Sequence, residues 1–267
     1  MGGLTRGFIR AALRAVESDG GGIAERALTR AARALCYATA VALDRAQRSP
    51  DEAARQAAHA RASLLTPVAK AFSTDIGNEV ASLGVQVHGG MGYIEETGAA
   101  QHYRDARIAA IYEGTNGIQA IDLVTRKLPL AGGATVTAYI GEIKRTVEAV
   151  NASNDAAFGW TGVRLKDAVD ALERATHWLL GSQRNDLDAA LAGATPYLRL
   201  FALAAGGALL AEEALAAMRL AGNGADAAGR TAIARFFAEN LAVQAASLER
   251  TVVEAADSVT DADAALA

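Results

Sequence analysis

Seven apolar side chains, Leu64, Val68, Phe72, Ile76, Val80, Leu83 and Val87, recur at steps of four, four, four, four, three and four. That spacing is the period of an α-helix with one face turned to a neighbour. The segment therefore predicts a long helix that has to pack against others. Pro67 lies inside it and predicts a kink or a break between two helices, because proline lacks an amide hydrogen and collides with the preceding turn. The core has to be built from Ala, Leu, Val and Ile, since hydrophobic residues make up 51% of the 267 and aromatics only 5%. Alanine is the strongest helix former, and only 4 prolines interrupt the chain. The expected fold is all-α, an antiparallel helical bundle followed by a second helical bundle.

The division along the chain follows its glycines and prolines. Residues 1–22 form a flexible or short-helix segment ending in Asp19-Gly20-Gly21-Gly22. A helix is expected over 23–47, and Ser49-Pro50-Asp51 ends it and starts the next. Gly89-Gly90-Met91-Gly92 predicts a turn with positive φ or a close backbone approach. A short stretch runs on to Ala110, and Thr115 is a plausible N-cap for a helix over about 116–127. The linker Pro129 to Thr135 separates a first unit, 23–130, from a second, 131–267. Helices in the second unit are expected near 136–150, 163–182, 196–220 and 229–258, with turns over 151–162 and 221–229.

Several function classes fall away. The formal net charge is -4 and there is no long basic run, so nucleic acid is not an expected partner. No run reaches the roughly 20 apolar residues of a membrane span. The basic, acid-free start is broken by Arg6, Arg10 and Arg14, which excludes a secretory signal, and Arg6 stands where myristoylation would need Ser or Thr. The single Cys36 fits a reducing compartment, with a cytoplasmic location expected, and reads as a small buried side chain. His59, His88, His102 and His177 lack metal-ligand spacing, so no metal is expected. Trp160 and Trp178 read as bundle core.

Two segments carry chemistry. In Tyr112-Glu113-Gly114-Thr115-Asn116-Gly117 a carboxylate precedes a glycine and a helix start. Glycine lets a flat ligand approach the backbone, and the first N–H groups of a helix favour anionic charge. Glu113 there could be a general base, although the residues alone favour a solvated loop glutamate near a helix N-terminus. In Gln86-Val87-His88-Gly89-Gly90-Met91-Gly92-Tyr93 the glycines suit close packing on a cofactor, and equally a helix-ending turn.

Taken with Lys70-Ala71-Phe72-Ser73-Thr74-Asp75-Ile76, Arg104-Asp105-Ala106-Arg107-Ile108 and Ile111-Tyr112-Glu113-Gly114-Thr115-Asn116-Gly117-Ile118-Gln119, the chain resembles the acyl-CoA dehydrogenase C-terminal domain over about 23–130. The remainder resembles the extra helical region of the 3-methylmercaptopropionyl-CoA dehydrogenase subgroup. The resemblance implies an FAD-dependent α,β-dehydrogenation of an acyl-CoA thioester, with Glu113 as catalytic base and Gly114 at the thioester. It implies that Thr115, Asn116 and Gly117 flank the flavin or its phosphates. It also implies that Gln86, Val87, His88, Gly89 and Gly90 contact the adenosine end of an FAD held mainly by a neighbouring subunit, in a homo-oligomer. Electron-transfer flavoprotein would be the acceptor. Arg104 and Asp105 are expected to form a local charge pair, and no substrate role is carried to Arg126.

The family places an N-terminal helical domain and a β-domain ahead of this region, and no strand-rich segment occurs in these 267 residues. The expectation is a fragment or partial subunit, active when another chain completes the site. The alternative is a non-catalytic helical module that oligomerises or binds CoA esters.

Overall fold

A computed structural model describes residues 21–220 and 226–261. The segment 1–20, expected to be flexible or a short helix, and positions 221–225 of the expected turn lie outside the described residues. The main helices are α1 (Gly21–Arg48), α2 (Glu52–Val87), α3 (Ala99–Ala109), α4 (Asn116–Asp122), α5 (Ala134–Ser153), α6 (Thr161–Asn185), α7 (Ala194–Arg219), α8 (Ala227–Phe236) and α9 (Ala245–Glu254). No strand occurs among the described residues, and the expected all-α fold is what is observed.

The core forms around α7, which packs against α1, α2, α4, α5, α6, α8 and α9. Its residues Leu200 to Ala205 are fully buried, so it has no solvent face there. By length and composition α7 could cross a membrane, but 78% of its most apolar window is buried inside the protein, which makes it the central helix of a helical body. Residues of both expected units, such as Leu35, Phe72, Leu123, Leu172, Phe201 and Phe237, join in one contiguous core. Gly206 and Gly207 let neighbours come near: a Cβ on Gly206 would lie 3.1 Å from Ala31 Cβ, and one on Gly207 2.5 Å from Leu165 Cδ2. Phe201 stacks on Tyr139 with centroids 5.6 Å apart and meets the edge of Tyr197 at 6.2 Å. The Tyr197 hydroxyl, buried with them, is paired with Thr176 Oγ1 at 2.7 Å.

The long helix predicted from the stripe is present, and several details differ from expectation. The helix runs unbroken through Pro67. A proline inside a helix costs about 3 kcal/mol, whereas burying each of Leu64, Leu65, Val68 and Phe72 is worth about 1.5–3 kcal/mol. The packing wins, and Thr66 Oγ1 donates to the Ala62 carbonyl at 2.7 Å in the turn where the proline lacks its donor. The stripe is buried only as far as Val80; Leu83 and Val87 are exposed, since this end of α2 projects beyond the central core.

Cys36 is exposed, not buried, because it sits one residue past the inward-facing Leu35 and turns toward Ser73, whose Oγ lies 3.2 Å from its sulfur. Trp160 is 64% exposed rather than core. It stands at the start of α6, where its backbone N–H donates to Glu239 Oε1 at 2.9 Å. Trp178 does pack against the core. The helix expected over 229–258 is interrupted by a π-turn at Phe237–Leu241 and a 3₁₀ turn at Ala242–Gln244. Helix α3 and the short helix Leu187–Ala192 were not expected.

Because Phe201 is fully buried between two rings, Phe201→Ala is expected to destabilise the fold by about 3–5 kcal/mol. Chemical denaturation checks this, and a loss below about 1 kcal/mol would show that the core collapses around the gap.

Candidate functional site

The site is built from the middle of α2, the loop after α3 and the start of α4. After α3 the chain turns back, with the Ile111 and Tyr112 N–H groups donating to the Ile108 carbonyl at 3.0 and 3.1 Å. Glu113 then adopts φ 55 and Gly114 φ 82. Glycine takes that conformation freely, but a residue with a Cβ does so at a cost of about 1–2 kcal/mol. Thr115 is the N-cap of α4, as expected, its hydroxyl accepting from the Ile118 N–H at 3.3 Å. The Asn116 N–H donates across the loop to the Ala110 carbonyl at 3.2 Å, and Gln119 Nε2 donates to the Glu113 carbonyl at 3.3 Å.

Helix α2 holds this loop. Lys70 Nζ donates to the Gly114 carbonyl and to Asn116 Oδ1, both at 2.8 Å. Asn116 Nδ2 lies 2.6 Å from Asp75 Oδ1, 3.0 Å from Thr74 Oγ1 and 3.2 Å from the Ala71 carbonyl. Each such bond contributes roughly 0.5–1.5 kcal/mol net, enough together to offset the backbone strain at Glu113. The Asn116 side chain is thus committed to α2. Lys70, Thr74 and Asp75 appeared in the sequence only as part of a quoted motif. Their signal was available as polar residues at helical spacing beside the apolar stripe.

A cleft of about 520 Å³ opens between α2 and α3, lined by Asp75, Glu79, Tyr103, Arg107, Thr115 and Gly117 among others. Glu113 is exposed and, unlike its neighbours Ile111 and Thr115, does not line the cleft. Ile108, Ile111, Tyr112 and Ile118 flank the loop in the chain and are exposed, and Met91 and Tyr93 are exposed at the glycine turn at the far end of α2.

The second group of expected residues sits at the far end of α2. Gln86, Val87, Gly89 and Gly90 are exposed, and His88 is half-buried with its Nδ1 2.8 Å from the Gly84 carbonyl. Gly89 has φ 58 and ends the helix, and a Cβ on Gly92 would fall 2.1 Å from the Val85 carbonyl oxygen. At 1.5 Å of rise per residue, this group lies roughly 20 Å along α2 from the residues that hold the loop. The fold keeps the two groups apart. Arg104 pairs with Glu95 at 3.8 Å, both exposed, and not with Asp105 as expected: on α3 the two side chains are adjacent and diverge. No cluster of three metal-ligating side chains occurs among the described residues.

The structure defines an all-α helical domain with a positive-φ glutamate ahead of a capped helix, and comparison with known proteins narrows the class. Residues 24–128 match the model of the acyl-CoA dehydrogenase C-terminal domain, and 139–263 match the acetyl-CoA dehydrogenase C-terminal-like model. The 3-methylmercaptopropionyl-CoA dehydrogenase of Ruegeria pomeroyi is 42% identical over 240 residues, which is 89% of this chain and 40% of that protein. Two solved structures share the fold at a TM-score of 0.69. One is Caenorhabditis elegans ACDH-11 in complex with C11-CoA, 17% identical, with 93% of this chain and 45% of that one covered. The other is a Bacillus anthracis acyl-CoA dehydrogenase complexed with FAD, 16% identical, with 96% and 48% covered. The chain belongs to the acyl-CoA dehydrogenase family and corresponds to its C-terminal helical region, less than half the length of these relatives.

The glycine turn gives a paired test. Gly92→Ala drives a Cβ into backbone, so it is expected to lower stability by about 1–3 kcal/mol. Gly90→Ala meets nothing within 4 Å and is expected to change it by less than about 0.5 kcal/mol. Thermal melts of the two variants decide; equal effects would contradict the close approach at Gly92.

Proposed function

We propose that this chain is the base-bearing helical part of an FAD-dependent acyl-CoA dehydrogenase, which forms an α,β double bond in an acyl-CoA thioester. The observation that carries the reading is Glu113, held at φ 55 beside Gly114 and two residues ahead of Thr115, which itself lines an open cleft. FAD, when bound, supplies the acceptor for the hydride that leaves the β-carbon. Glu113 takes the α-proton onto a carboxylate oxygen as general base. Gly114 lets the turn take its positive φ without strain, with the Gln119 side chain 3.1 Å from where a Cβ would stand, and the thioester lies along this backbone. Thr115 and Gly117 line the cleft from the start of α4, where a flat cofactor would be approached along the backbone. Asn116 contributes by holding the turn.

The exposure of Glu113 bears on how it works. Proton removal from carbon calls for a site from which a covering surface and substrate have displaced water. The exposed apolar side chains Ile108, Ile111, Tyr112 and Ile118, close to Glu113 in the chain, suit such a cover. The reading therefore requires a further domain, in the same polypeptide or in another chain. The open glycines Gly89 and Gly90, far along α2, suit the adenosine end of an FAD whose ring sits at a different subunit, which makes a homo-oligomer part of the site. Electron-transfer flavoprotein is the acceptor this reading implies. A helical module that only binds CoA esters is the competing reading, favoured by the exposure of Glu113.

In the assembled enzyme, Glu113→Gln is expected to slow α-proton exchange of an acyl-CoA into solvent by about 10²–10⁴-fold with the flavin spectrum retained. Deuterium wash-in followed by mass spectrometry measures it. Exchange within about tenfold of wild type would assign the base elsewhere.

A further inference from the structure

We propose that Lys70 is a positioning residue for Glu113, fixing the left-handed turn Glu113-Gly114 from helix α2 through one direct bond and one through Asn116. The inference rests on the reading of Glu113 as the base and adds the device that aims it. Lys70 is only partly buried, yet its ammonium has two defined acceptors, the Gly114 carbonyl and Asn116 Oδ1, each at 2.8 Å. A charged donor makes these bonds stronger than neutral ones. The other end of the Asn116 amide is shared among Asp75, Thr74 and the Ala71 carbonyl.

Residues 70, 71, 74 and 75 fall at helix spacings i, i+1, i+4 and i+5, so one face of α2 supplies the whole attachment. The turn is then gripped at the strained residue and just after it. The Gly114 carbonyl is bound just after it, and the Glu113 carbonyl itself accepts from Gln119. Asn116 is bound through its side chain to α2 and through its N–H to Ala110. A base removing a carbon-bound proton is sensitive to small misplacement, and a non-glycine residue at positive φ does not keep that geometry unaided. Because α2 is anchored by its buried stripe, the aim of Glu113 is set by the core of the protein and not by the loop.

The test is amide hydrogen exchange in the full chain, read by NMR. Lys70→Met keeps the aliphatic stem and removes the ammonium; the Asn116 amide, which donates to Ala110, is expected to exchange roughly tenfold faster or more, while the core amide of Leu203 stays at the wild-type rate. Lys70→Arg, which keeps charge and donors, is expected to return Asn116 to within roughly threefold of wild type. The proposal is overturned if Asn116 in Lys70→Met stays within roughly threefold of wild type, or if Lys70→Arg exchanges as fast as Lys70→Met. Should Leu203 also accelerate, Lys70→Gln is read by the same criteria. In the assembled enzyme, Lys70→Met is expected to lower kcat by roughly a hundredfold with KM changed less than about threefold, and an unchanged kcat breaks the link to Glu113. Glu113→Gln leaves Asn116 exchange unaltered, so failure of the base assignment is seen separately from failure of the attachment.

Discussion

A helix that is apolar on every side can exist in water only if other helices surround it. Helix α7 is in that position: Leu200, Phe201, Ala202, Leu203, Ala204 and Ala205 are all fully buried. Small residues on it, Gly206 and Gly207 above all, let α1, α6 and α8 come close. Seven helices pack on α7, drawn from both stretches matched by the two family models. The first stretch carries the site and the second carries much of its support. An acyl-CoA dehydrogenase C-terminal domain of this kind shares its hydrophobic core with the helical region that follows.

Helix α2 transmits that order to the surface. Its buried stripe from Leu64 to Val80 is locked against the core, and the polar residues beside the stripe hold the loop of Glu113. The same helix then projects past the core, exposing Leu83 and Val87 before it ends at the glycine turn. One helix thus holds the Glu113 loop at its middle and the glycine turn at its end, about 20 Å apart.

Much of this was legible in the residues. The period of the stripe, the Ser49-Pro50-Asp51 break, the Thr115 cap and the glycine turn each express a local rule, and local rules are written in consecutive residues. Departures came where distant partners decide. Pro67 does not break its helix because packing outweighs the lost bond, which no window around the proline reveals. Cys36 and Trp160 were misplaced because a residue one step off an inward position turns outward, and alanine-rich helices mark their faces faintly. Helix α3 was missed for a similar reason: it is mostly polar and exposed, without a strong apolar stripe. The attachment of Asn116 to Lys70, Thr74 and Asp75 spans more than forty positions, and only the fold joins them.

The central claim is that the chain's own fold sets the left-handed conformation at Glu113 before any ligand or partner arrives. At positive φ the amide proton and the α-proton of one residue come close, which gives a strong intraresidue nuclear Overhauser effect. In the ligand-free chain, Glu113 is expected to show that strong effect, in contrast to the helical residues of α4 that follow it. An effect at Glu113 no stronger than in those helical residues would contradict the claim, and would mean that the turn forms only in the complete enzyme.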